Sequence, residues 1–147
     1  MPWLLLALAL VAGAGLPVQA GVNASLRTSL GRPELAALVN FLTGLLALAT
    51  WILAQRLPWP EPGALARAPW WSWTGGLLGA FYVTAVIVLA PRLGVATTIA
   101  VVVGGQMLSA VAIDHYGLFG VPLRPVSAAR GLGAVLLVAG VVLLRRF

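Results

Sequence analysis

Residues 33–55 read PELAALVNFLTGLLALATWILAQ, and this stretch decides the fold. One carboxylate, Glu34, stands at its start, and no other charge appears before Gln55. At about 1.5 Å of rise per residue, roughly 20 apolar residues cross the ~30 Å hydrocarbon core of a bilayer. Pro33 suits the first turn of a helix, where its missing N–H is not needed, and Glu34 complements the positive end of the helix dipole. The segment therefore predicts a transmembrane helix over Glu34–Gln55.

The same pattern recurs in both directions. A first span is expected from about Trp3 to Leu26, ending at Arg27, with Gly13, Gly15, Pro17 and Gly21 interrupting its middle. A third is expected over Trp70–Ala90, stopped by Pro91 and followed by a tight turn through Gly94. A fourth covers Val95–Ile113, and a fifth covers 127–144, with Ser127 as its N-cap. The connection from Arg56 to Pro69 is the longest polar one, and Asp114–Val126 is punctuated by Gly and Pro. Val18-Gln19-Ala20 resembles a signal-peptidase site, but Met1-Pro2 lacks side-chain charge, so the segment is read as a retained span. The alternative is four spans, with the first interfacial or removed. The fold class that follows is all-α, an integral membrane bundle of five transmembrane helices in a single domain, 1–147.

Composition agrees. Of 147 residues, 61% are hydrophobic and 8% charged, with a mean hydropathy of +1.04, too few polar groups to cover a soluble domain. The net charge of +6 comes from nine Arg and no Lys against Glu34, Glu61 and Asp114. These arginines stand singly at span ends, which reads as membrane anchoring rather than a nucleic-acid surface. With no cysteine and one histidine, neither a thiolate metal site nor a catalytic nucleophile with a base is visible. No catalytic residue, metal or cofactor is expected.

Polar side chains inside the spans are the candidate solute contacts, because an amide in hydrocarbon is unfavourable unless hydrogen-bonded. Gln19 and Asn23 share one face of the first span, Asn40 lies in the second with Thr43 one turn later, and Gln106 lies in the fourth beside Gly104 and Gly105. Tyr82 follows Gly75 and Gly79 on one stripe of the third, and its phenol needs a partner at mid-depth. Gly75, Gly79, Gly133 and Gly140 read as helix-packing positions. Asp114-His115, at the end of the fourth span, invites a coupling or gating role. The bland alternatives are interhelical bonding for the amides and, for Asp114, an ion pair with Arg124 or Arg130.

An odd number of spans puts the termini on opposite sides. Arg56, Arg67, Arg124 and Arg130 fall on the N-terminal side, and Arg27, Arg32, Arg92, Arg145 and Arg146 on the other. Four against five gives the positive-inside rule almost nothing to act on. All six tryptophans lie on or near the N-terminal side.

Several stretches together resemble a known family: Gln19-x-x-x-Asn23-Ala24, Trp70-Trp71-x-Trp73-x-Gly75-Gly76-x-x-Gly79-Ala80-x-Tyr82-Val83, Gly105-Gln106, and Ile113-Asp114-His115-Tyr116-Gly117. They are similar to the YdcZ-type, five-helix branch of the drug/metabolite transporter superfamily. The resemblance implies a multi-pass protein of the cell (inner) membrane that moves a small molecule. It also implies half of an inverted-repeat fold, completed by a homodimer of dual topology with the substrate site at its interface. Four-span multidrug exporters of that superfamily carry a glutamate in their first span, where this chain has Gln19 and Asn23. A neutral, amphipathic or anionic solute is the expectation that follows. The partners expected are this substrate, the lipid bilayer and a second copy. A structural or accessory subunit and a passive channel are the competing functions.

Overall fold

The computed structural model describes residues 2–146, save the side chains of Pro2 and Arg145. The reading of Met1-Pro2 as an uncharged start and the placing of Arg145 among the anchoring arginines therefore fall outside the described residues. The described chain is all-α: α1 (Pro2–Leu30), α2 (Pro33–Ala54), α3 (Ala64–Arg67), α4 (Thr74–Leu93), α5 (Val95–Tyr116) and α6 (Ala128–Arg146). A 3₁₀ turn, Trp70–Trp73, leads into α4. Four of these segments are long and apolar enough to cross a membrane, over Trp3–Leu30, Pro33–Ala54, Trp70–Leu93 and Val95–Tyr116. The apolar part of α6, Ala128–Leu144, is shorter, about 25 Å at helical rise.

Local chemistry sets most helix ends where the sequence predicts them. Pro33 opens α2, Glu34 sits in its first turn, and the Ser127 hydroxyl accepts the Arg130 N–H (3.3 Å) to cap α6. Three ends differ. α1 does not stop at Arg27 but runs on to Leu30. The Thr28 hydroxyl donates to the Ala24 carbonyl (3.1 Å), and left-handed Gly31 then closes the helix on the Arg27 carbonyl (2.8 Å). α5 likewise continues past Ile113 to Tyr116 before Gly117 turns it (φ +61), so Asp114 and His115 stand on the helix rather than in the loop.

The third difference is at Pro91, which the sequence predicts to end its span. α4 passes through it to Leu93. A proline removes the donor that would serve the carbonyl four residues earlier, here that of Ile87. The Arg27 guanidinium supplies a donor instead, at 3.3 Å from that carbonyl. Ile87 is fully buried, so the substitution matters: an unpaired backbone carbonyl there would be costly. α1 is also unbroken despite Pro17, as membrane helices tolerate.

Two compact units result. One comprises Val18–Pro91; the other comprises the chain up to Pro17 and from Arg92 onward. In the first, Ala36 and Ala37 of α2 meet Val83 and Ile87 of α4, with Leu26 and Tyr82 packed against them. Small residues on α2 allow this close approach. In the second, α5 packs against α6. Elsewhere large apolar side chains are exposed along the helices, for example Leu46 and Leu78 at 65% each, the surface expected of a protein whose solvent is lipid.

Between α4 and α5 stands Gly94 alone, at φ +83 and ψ 149. That region is open to glycine and strained for any other residue. The Gly94 carbonyl also accepts from the Thr98 hydroxyl (2.8 Å), which is buried. Gly94→Val should therefore destabilise the folded protein by about 1–3 kcal/mol, read as a lower unfolding midpoint in detergent. An unchanged midpoint would show that the turn does not need glycine.

Candidate solute-binding groove

Within the Val18–Pro91 unit, α1 carries Gln19 and α2 carries Asn40, and the two amides meet. Gln19 Nε2 donates to Asn40 Oδ1 at 3.4 Å. Both side chains are half-buried. They open onto a groove of about 610 Å³ lined by Gln19, Asn40, Phe41, Thr43, Gly44, Leu45 and Leu48. The Thr43 hydroxyl is turned onto its own helix, donating toward the carbonyls of Asn40 (2.9 Å) and Val39 (3.1 Å). The amide pair is thus the strongest polar feature of an otherwise apolar groove. Since the Gln19–Asn40 bond is long, each amide keeps donor and acceptor capacity for a solute.

Asn23, one turn after Gln19, is buried at 4% exposure, and Tyr82 packs against the Ala36–Ile87 core. Gly79 leaves room for the Phe41 ring: a Cβ at that position would come 3.4 Å from Phe41 Cζ. Phe41, which places a ring between this glycine and the groove, carries no signal in the sequence beyond its place next to Asn40. At Gly75, Gly133 and Gly140 a Cβ would meet nothing within 4 Å. Gln106 is exposed on α5 and belongs to the other unit.

Asp114 and His115 do not act on each other. Asp114 Oδ2 pairs with Arg130 Nη2 of α6 at 3.3 Å, and Arg130 Nη1 donates to the Arg124 carbonyl at 3.0 Å. His115 Nδ1 accepts the Val126 N–H at 3.2 Å. The Arg124 N–H donates to the Asp114 carbonyl at 2.7 Å. These bonds fold the α5–α6 connection onto the end of α5. Among the described residues no cluster of His, Cys, Asp or Glu could hold a metal ion.

The chain matches the family model described as "Putative inner membrane exporter, YdcZ" over residues 4–143. It is 34% identical to the "Inner membrane protein YdcZ" of Escherichia coli (strain K12), over 97% of this chain and 95% of the relative. No solved structure matches it. The match spans all four long apolar helices and most of α6. With those helices it makes the protein a multi-pass protein of the inner membrane. The chain belongs to the YdcZ family of the drug/metabolite transporter superfamily.

Proposed function

We propose that this protein is a secondary transporter of a small neutral, amphipathic or anionic solute, and that the Gln19–Asn40 groove is part of its solute path. The observation that carries the reading is the half-buried amide pair at 3.4 Å, facing a groove of about 610 Å³ in an apolar helical unit. Two amides without a nearby carboxylate can bind hydroxyl, carbonyl or carboxylate groups, but offer a cation nothing specific. Asn23 and Tyr82 complete the set from α1 and α4. Asp114, with His115 beside it, is assigned to gating at the end of α5, through the ion pair with Arg130.

α6 serves as the fifth span in this proposal, its 19 helical residues reaching the interfaces when Arg146 extends toward water. Two copies in opposite orientation then form the working unit, with the site at their interface. An exposed Gln106 in the middle of an apolar helix supports this, since lipid gives its amide no partner and a second copy or a solute would.

A direct Gln19–Asn40 bond also favours a second reading, an accessory subunit whose amides only tie helices together. Purified protein in proteoliposomes on a solid-supported membrane separates the two. A solute from one of the three classes should be taken up by wild-type proteoliposomes, with a current where it is charged, and not by those holding a Gln19→Leu variant that folds normally. Loss of folding alone, with no solute response in the wild type, would favour the accessory role.

A further inference from the structure

Apart from the amide groove, the α5–α6 pair contains a cleft of about 300 Å³ whose lining includes Met107, Val111 and Leu137, with Asp114 and Arg130 at one end. Asp114 lies in the last turn of α5 and Arg130 in the first turn of α6. The 22 residues of α5 span about 33 Å, close to the hydrocarbon thickness, so its ends reach the headgroup layer. From Asp114 back to Met107 the cleft descends about 10 Å along α5 toward the hydrocarbon. It is thus charged at headgroup depth and apolar below.

The ion pair is neither sealed nor saturated. The side chains of Arg130 and Asp114 are 34% and 37% exposed, and they meet through one nitrogen and one oxygen at 3.3 Å. The carboxylate retains further lone pairs, and the guanidinium has donors beyond those given to Asp114 and the Arg124 carbonyl. A ligand with both charges can therefore bridge the pair while leaving each partner compensated. A net anion would meet the Asp114 carboxylate, and a quaternary ammonium has no N–H to give it.

We propose that this cleft binds a membrane phospholipid whose head carries both a phosphodiester and a primary ammonium. The phosphate sits on Arg130, the ammonium on Asp114, and one acyl chain runs past Val111 toward Met107 and Leu137. The cleft shares no lining residue with the Gln19–Asn40 groove, and neither assignment depends on the other.

Native mass spectrometry on the full-length protein, titrated with phosphatidylethanolamine, phosphatidylcholine or phosphatidylglycerol, tests it. The wild type should retain phosphatidylethanolamine about tenfold more strongly than the other two, the value of one charge-assisted contact. Asp114→Asn should abolish that preference. Gly133→Leu should reduce binding of all three lipids by filling the cleft. A Cβ at Gly133 meets nothing within 4 Å, so the side chain starts without a clash, and an unfolding midpoint matching the wild type in detergent is required of this variant. Equal retention of the three lipids by the wild type would overturn the proposal, as would a preference that survives in both variants. Competition by glycerophosphoethanolamine, which lacks acyl chains, at concentrations matching the lipid would make this a solute site instead. A Gly133→Leu change in oligomeric state with lipid retention intact would make it a contact between copies.

Discussion

Gln19→Leu should reduce transport about tenfold or more while leaving the detergent-extracted protein folded. The side chain donates to Asn40 across the groove at 3.4 Å, and leucine keeps the bulk and helix preference while removing both polar functions. A lost hydrogen bond to a bound solute is worth about 1–3 kcal/mol, which gives the expected loss of rate. Folding should survive because the long Gln19–Asn40 bond contributes little, and Asn40 remains open to the groove. Gln106→Leu on α5 should reduce transport in the same way with even less effect on stability, since Gln106 is exposed. Wild-type transport in both variants would remove the amides from the solute path.

The second large effect concerns stability. Arg27→Leu should destabilise the Val18–Pro91 unit by about 1–3 kcal/mol, because the buried Ile87 carbonyl loses its donor. Pro91→Ala supplies a backbone N–H four residues after Ile87 and should make Arg27 largely dispensable. The double variant should then be more stable than the sum of the single changes predicts, with a coupling of about 0.5–3 kcal/mol. Additive losses across this cycle, read from unfolding midpoints in detergent, would mean that Arg27 does not replace the missing proline donor. Nearby Arg32, which pairs with Glu34 at 3.5 Å with both side chains mostly exposed, is a suitable control, since exposed pairs contribute little.

This pair also shows what the sequence could and could not convey. Span length and polarity, the Pro33–Glu34 start and the Ser127 cap depend on neighbours within a few residues, so pattern alone locates them. The passage of α4 through Pro91 depends on Arg27, 60 residues from Ile87, and no local rule predicts it. Gln19 and Asn40 could each be picked out as amides in apolar helices, yet their pairing across 21 residues is tertiary. The Asp114-His115 dipeptide looked like an acid–imidazole unit because the two are adjacent. Consecutive residues on a helix point about 100° apart, and the structure sends one to Arg130 and the other to the Val126 N–H. Arg130, expected as one possible partner of Asp114, was legible only as an alternative.

The proposed antiparallel homodimer rests on α6 crossing the bilayer and on a nearly balanced arginine count. Arg130 lies in the first turn of α6, at interface depth, so it still counts beside Arg56, Arg67 and Arg124. Four against five leaves insertion almost without preference, and exposed Gln106 leaves α5 with an amide for a second copy to meet. The chain has no cysteine of its own, so thiol labelling can read its topology directly. One cysteine at exposed Val121, before α6, and another added after residue 147 would flank that helix. In intact cells treated with an impermeant thiol reagent, a transport-competent double-cysteine protein should carry one adduct per chain. Both sites should be represented in the population. Two adducts on some chains and none on others would mean that α6 does not cross. Labelling confined to one of the two sites would contradict the antiparallel pair.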